Sequence, residues 1–377
     1  MRIALVRQRY SAYGGAERFI ERALEVLVRR GVTVTLLARE WVGDPGRVVR
    51  CDPFYIGRLW RDLSFGRAVC RETAERPFDL VQSHERLTCC DVYRAGDGVH
   101  AQWLQNRRAA LGAFARIGLA LNPYHRYVLA AERRMFRSSR LRAVICNSRM
   151  VKAEIRAHFG VPEAKLHVIY NGVDLRYFHP GVRDAYRARS RSQRDIPTNA
   201  MLYVFVGSGF ERKGVFRLLR AFARGADRRA HLVVVGKDRA EAKARTQGRR
   251  LGIADRVHWL GALDDVRPWY GAADAFVLPT LYDPFPNAAL EAMACGLPVL
   301  ATNQCGVAEL IQPGINGLLC DALDETVLAE QIARLDPNSA REMGVRARAT
   351  AEDYDLDTMA EKLVELYGKL LAATPEG

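Results

Sequence analysis

Apolar residues along this chain follow two alternating rhythms. Short continuous runs, bounded by glycine or polar residues, alternate with longer stretches in which apolar positions return every three or four residues. The runs read as buried strands. In the first half they are IALVR (3–7), VTVTLLA (32–38), LVQS (80–83) and AVICN (143–147). From residue 201 the pattern starts again, with MLYVFVGS, HLVVVGKD, VHWLGAL, AFVLPT and a strand at 299–301. The intervening stretches read as amphipathic helices, the first from 15 to 30 and capped at Gly31. Uniformly apolar strands alternating with such helices predict an α/β chain with parallel sheets covered on both faces.

The pattern breaks once. KLHVIYNGVDLRYFHP (165–180) reads as a strand and then a hinge, where Asn171-Gly172 turns the chain and Pro180 bars a helix. VRDAYRARSRSQRDIPTN (182–199) is polar and reads as the approach to a second start. At 377 residues the chain exceeds one ordinary core, so two doubly wound domains are expected, at 1–178 and 179–355. A last amphipathic helix, 356–373, lies beyond the second sheet.

The composition, 49% hydrophobic and 27% charged, is that of a soluble globular protein. No run of about 18 apolar residues is present, and the N-terminus leads straight into a strand, so neither a membrane span nor a signal peptide is expected. The eight cysteines form no C-x-x-C pair and have no histidine at metal-ligand spacing, which reads as structural thiols in a reducing cytoplasm. Charge changes the picture more. The net +14 is concentrated before residue 176, at +13, and 101–142 holds nine arginines against the single acid Glu132. Trp103, Phe114, Ile117, Leu121, Tyr124 and Phe136 interleave with Arg107, Arg108, Arg116, Arg126, Arg133, Arg134 and Arg137. A basic segment with apolar faces suits an anionic membrane surface. A solvated helix face or a nucleic-acid patch shows a similar pattern.

The candidate chemistry lies after the strands. Gly14 and Gly15 follow the first strand in YGGAER, where absent Cβ atoms let backbone amides approach a phosphate or sugar. The pair is not G-x-G-x-x-G, which disfavours a dinucleotide. GSGFERKG (207–214) follows the strand at 201, and its Arg212 and Lys213 stand where doubly wound folds bind ligands. Two fixed cations there would suit an anionic ligand such as a phosphate, a task otherwise given to a metal ion. In LYDPFPNAALEAMACGLPVLATNQCGVAEL (281–310), Asp283 precedes a short helix and Glu291 lies eight positions on. Carboxylates accept hydrogen bonds from hydroxyls, and a helix start attracts an anion. Acidic residues near a helix start are also favourable on dipole grounds alone.

That segment resembles the E-x7-E signature of the retaining glycosyltransferases of family 4, with Asp283 standing where the first glutamate usually stands. YGGAER, GSGFERKG and VVVGKD resemble the corresponding family loops, and within the family the chain is most similar to the lipopolysaccharide core glucosyltransferases. The resemblance implies the GT-B architecture, two Rossmann-like domains facing a cleft, with the terminal helix crossing back onto the first. It implies that Arg212 and Lys213 bind the diphosphate, Asp283 the transferred sugar, and Glu291 the ribose. Gly14, Gly15 and Gly207, and the amides around Phe285, Pro286, Asn287 and Ala288, complete the donor contacts. His100, at the end of DVYRAGDGVH, matches a histidine that approaches the donor sugar. His84, Glu17 and Arg18 are candidate acceptor contacts. The implied activity is metal-independent, cofactor-free transfer from a nucleotide-diphosphate sugar, UDP-linked, with retention. The implied acceptor is a glycolipid at the inner leaflet, where the enzyme sits as a cytoplasmic peripheral protein. Transfer to a soluble or capsular glycan, epimerisation of the donor, and nucleic-acid binding are the alternatives.

Overall fold

The computed structural model describes residues 1–8, 27–41 and 48–373. The chain divides into two compact units, Met1–Asn171 with Leu356–Gly377, and Gly172–Asp355. In the first, seven strands lie in the order β3-β2-β1-β4-β5-β6-β7. They are β1 Arg2–Val6, β2 Thr33–Ala38, β3 Val48–Arg50, β4 Leu80–Ser83, β5 Val92–Arg94, β6 Ala143–Cys146 and β7 Leu166–Val168. Every pairing is parallel, with Ile3 against Val34 on one side of β1 and Leu80 on the other.

Side chains alternate across this sheet and build two cores. Ile3, Leu5, Leu36, Leu80, Val92 and Ile145 face one side, where Leu356, Met359, Leu363, Leu366 and Tyr367 of the terminal helix Leu356–Ala372 cover them. Ala4, Val6, Val81, Tyr93 and Val144 face the other, against Phe65 and Val69 of helix Gly57–Glu75 and Ile155 of helix Arg149–Phe159. Each fully buried large apolar side chain contributes about 1.5–3 kcal/mol. The terminal helix is also pinned by polar bonds: the Tyr367 hydroxyl donates to Gln82 at 2.6 Å, and Arg142 donates to the carbonyl of Leu370.

The second unit holds six parallel strands in the order β10-β9-β8-β11-β12-β13. These are β8 Leu202–Val206, β9 His231–Val235, β10 Val257–Gly261, β11 Ala275–Leu278, β12 Val299–Thr302 and β13 Gly317–Cys320. Strand order reverses between β8 and β11, the position at which open α/β sheets bind ligands at the C-terminal ends of their strands.

Three features were not expected from the sequence. The polar stretch after 181 forms the helix Val182–Ser192. Arg183, Arg187 and Arg191 recur every four residues and all reach Asp274, at 3.4, 2.9 and 2.7 Å. Arg191 is buried, and its guanidinium also binds the carbonyls of Ala272, Pro197 and Ala200. Second, the thiol reading fails for two cysteines: Cys70 and Cys89 are joined, with S–S 2.04 Å and Cα atoms 5.6 Å apart. Helix Gly57–Glu75 lies so close to the turn after β4 that a Cβ on Gly66 would stand 3.0 Å from Leu87. That tertiary contact, across a 19-residue separation, brings the sulfurs together. The other six cysteines are free and buried. Third, the strands β3, β5 and β13 were absent from the sequence reading. The helix expected over 15–30 falls largely outside the described residues, of which 27–29 are helical.

Candidate active site

The reversal point of the second sheet is where sequence motif and topology converge. The loop leaving β8 runs from Gly207 to Gly214, and the one leaving β11 runs from Pro279 to the helix Asn287–Ala294. Gly214 has φ +83°, and a Cβ there would stand 1.9 Å from the Pro279 carbonyl oxygen, so only glycine lets the two loops meet. Across that contact the Leu281 N–H donates to the Arg212 carbonyl at 2.8 Å, and the Thr280 hydroxyl donates to the same oxygen at 3.1 Å.

This lattice places the charged side chains. Asp283, only 5% exposed, faces Arg212 Nη1 at 3.6 Å and Lys213 Nζ at 3.4 Å. Both separations exceed ordinary charge-assisted hydrogen bonds, so the cations are held near the carboxylate without being consumed by it. Arg212 Nη1 also donates to the Tyr282 carbonyl at 3.1 Å. Backbone bonds on both sides fix Asp283: its N–H donates to Gln304, and its carbonyl accepts from Gly306. Two positive charges facing one negative charge leave a surplus that suits a phosphate group.

Gly207 belongs to this arrangement in an unexpected way. Its N–H is spent on the Val235 carbonyl. Its contribution is a missing side chain: at φ +151°, a Cβ would lie 2.7 Å from Lys213 Cδ and 2.9 Å from Nζ. Gly207 is therefore the seat of Lys213. Asp238, not among the residues expected from sequence, accepts through its carboxylate from the N–H groups of Gly209 and Phe210 at 2.8 and 3.2 Å and so fixes the glycine loop. The signal was present in VVVGKD, an acid two residues beyond a strand-end glycine.

Glu291 sits on the helix Asn287–Ala294, where the buried Tyr270 hydroxyl lies 3.0 Å from Oε2 and 3.1 Å from the Ala288 carbonyl. Phe285 is buried, Pro286 caps the helix, and Asn287 and Ala288 are half-buried in its first turn. A helix start leaves amide N–H groups unpaired by the helix itself.

His84 and His100 lie in the first unit. His84 is buried after β4, and burial together with Arg7 and Arg94 drives its pKa well below the usual histidine value. His100 opens the helix His100–Ala109; its N–H donates to buried Glu132, and its Nε2 meets His125 Nδ1 at 3.1 Å. Burial, with Arg86 and His125 nearby, pulls its pKa down to about 3, so the ring is neutral at physiological pH. Gly14, Gly15, Glu17 and Arg18 lie outside the described residues.

The basic segment folds as three helices, His100–Ala109, Ala113–Leu121 and Pro123–Phe136. Arg108, Arg116, Arg126, Arg133, Arg134 and Arg137 are exposed, and Arg107 stacks over Trp103. Phe114, Ile117 and Leu121 share one face of the middle helix at 92%, 59% and 68% exposure. No helix among the described residues is long and apolar enough to cross a membrane. Among those residues no group of three His, Cys, Asp or Glu is placed to hold a metal.

Comparison with known proteins decides the family. The family model for glycosyltransferase family 4 matches residues 13–177, and that for glycosyl transferases group 1 matches residues 201–336. The chain belongs to the family 4 glycosyltransferases. The lipopolysaccharide glucosyltransferase WaaG of Escherichia coli (strain K12) is 25% identical over 97% of this chain and 98% of its own. A D-inositol 3-phosphate glycosyltransferase of Streptomyces scabiei is 30% identical over 59% of this chain and 53% of its own. The crystal structure of WaaG superimposes with a TM-score of 0.82 at 24% identity, covering 97% of this chain and 99% of that one. Anabaena HepE in complex with UDP-glucose gives a TM-score of 0.73 at 21% identity, covering 98% and 100%. The fold of this glycosyltransferase is GT-B, with parallel sheets of seven and six strands.

Proposed function

We propose that this glycosyltransferase moves a sugar from a UDP-linked donor to a membrane glycolipid in lipopolysaccharide core assembly, with retention and without a metal ion. The observation that carries the reading is the convergence of Arg212, Lys213 and Asp283 at the reversal point of the second sheet. Arg212 and Lys213 neutralise the departing diphosphate, the role a divalent cation plays elsewhere. Asp283 accepts hydrogen bonds from hydroxyls of the transferred sugar, and Glu291 from those of the ribose. Gly207 seats Lys213, and the helix start at Phe285, Pro286, Asn287 and Ala288 faces the sugar and phosphate. Neutral His100 contacts the donor sugar; His84, Glu17 and Arg18 orient the acceptor; Gly14 and Gly15 let the backbone approach the ligand. The bond between C1 and the phosphate oxygen breaks, the acceptor oxygen bonds to C1 on the same face, and its proton passes to the leaving phosphate oxygen.

WaaG, whose likeness spans nearly the whole of both chains, supports the acceptor class, and the UDP-glucose complex of HepE supports the donor. The exposed arginines beside the apolar Phe114–Ile117–Leu121 face support attachment to an anionic inner leaflet from the cytoplasmic side. The test combines a panel of UDP-sugars with truncated lipopolysaccharide acceptors, measuring UDP release and product anomeric configuration with and without chelator. UDP release that requires acceptor, persists in chelator and yields the retained anomer is expected. Release of an altered nucleotide sugar without acceptor, or dependence on a divalent cation, contradicts the proposal.

A further inference from the structure

A second group of apolar side chains stands exposed on the first unit, outside the arginine-rich segment. Phe54 is 74% exposed, Ile56 69% and Trp60 49%, and all three crowd the start of helix Gly57–Glu75. The Phe54 and Trp60 rings meet edge to face, with centroids 6.1 Å apart. The helix is not short of core in which to bury apolar groups: its next turns place Phe65 and Val69 at 1% and 0% exposure against the sheet. Its first turn points the other way, so the ridge is a surface feature.

The surroundings identify what meets that ridge. Arg58, in the first turn of this helix, is exposed and lies within electrostatic reach of His125; Arg50, also exposed, pairs with Asp52 at 2.9 Å. One turn on, Asp62 accepts a hydrogen bond from the Tyr124 hydroxyl at 3.0 Å, which ties this helix to Pro123–Phe136. Three residues before Tyr124 is Leu121, the end of the exposed Phe114–Ile117–Leu121 face. Two exposed apolar groups thus lead into one contact, and both are flanked by arginine. Exposed apolar clusters rimmed with positive charge mark contact with an anionic lipid surface, and tryptophan favours the headgroup level.

We propose that Phe54, Ile56 and Trp60 form a second membrane anchor that enters the headgroup–acyl boundary of an anionic bilayer beside the arginine-bearing helices. The anchor rests on the membrane attachment proposed above and adds a second point of contact, which fixes the orientation of the first unit on the surface. Arginines supply the attraction, and the ridge supplies salt-resistant insertion.

The test uses the full chain and vesicles of phosphatidylethanolamine with phosphatidylglycerol. Phe54→Ser/Ile56→Ser/Trp60→Ser weakens partitioning by about tenfold or more, while salt dependence stays that of the wild type. In vesicles carrying brominated acyl chains, wild-type fluorescence is quenched, and Trp60→Phe removes the share of that quenching due to Trp60, leaving only that of Trp103 on the basic segment, while binding persists. This second readout stands even where the triple variant folds poorly. A parallel variant with Arg126, Arg133 and Arg134 changed to Gln tests the underlying attachment alone. Release of that variant, with undiminished binding of the serine triple and no quenching of Trp60, overturns the anchor and leaves the attachment standing. A wild-type protein that ignores anionic vesicles overturns both, and a ridge that instead mediates self-association at micromolar concentration overturns the anchor.

Discussion

Gly207→Ala tests whether Lys213 must stand where the structure holds it. The added Cβ would lie 2.7 Å from Lys213 Cδ and 2.9 Å from Nζ, whereas ordinary contact begins near 3.4 Å. Lys213 must therefore retreat by about 0.7 Å at Cδ, and more at Nζ if the chain pivots. A reacting or charge-stabilising group displaced by about 1 Å loses on the order of 100-fold in rate, or about 2.7 kcal/mol of barrier. Alanine at φ +151° adds strain of about 1–3 kcal/mol, read in unfolding rather than in turnover. The assay is kcat/KM for UDP release in the presence of acceptor, measured for Gly207→Ala, Lys213→Ala and the double variant. Because the alanine acts through Lys213, the double variant loses no more than Lys213→Ala alone. Unchanged kinetics in Gly207→Ala, or losses that multiply in the double variant, refute the reasoning.

Asp274→Asn leaves the charge of Arg191, 1% exposed, without its carboxylate, and costs the second unit about 3–5 kcal/mol; hydrogen exchange shows the loss as reduced protection of β8 and β11. Burial lowers the pKa values of His84 and His100 in the fold, so the unfolded chain takes up their protons first. Their contribution to stability is complete above the ordinary histidine value near 6.5 and falls as pH drops below it, by up to about 1.4 kcal/mol per pH unit for each ring. Denaturant midpoints at pH 7.5 and 5.5 check this, and a midpoint that rises on acidification contradicts it. Replacing Cys70 and Cys89 with Ser removes a cross-link over 19 residues and lowers stability by about 3 kcal/mol, readable as a shift of the unfolding transition.

The strands with continuous apolar runs were legible because both sheet faces are covered, so burial imposes one composition on them. β3 and β13 were not: VVR holds only two apolar residues, and GLLC starts on a glycine directly after the turn residues of QPGIN (312–316). Helix Val182–Ser192 escaped for a different reason. The stripe it buries carries arginine, not leucine, and hydrophobic periodicity is silent when the buried partner is the carboxylate of Asp274. Arginine at every fourth position was the available signal. Arg212, Lys213 and Asp283 were legible as a motif, but their meeting depends on Gly214 admitting the Pro279 carbonyl, which only coordinates reveal. The same holds for the disulfide, whose partners are brought together by helix packing.

Calorimetric titration of UDP, with uridine as the control, measures the diphosphate contribution by itself. Arg212→Ala/Lys213→Ala should raise the Kd for UDP by about 100-fold or more, given about 1.5–3 kcal/mol for each lost charge-assisted bond, and leave uridine unaffected. Equal UDP affinity in the wild type and the double variant would contradict a diphosphate site built from these two cations.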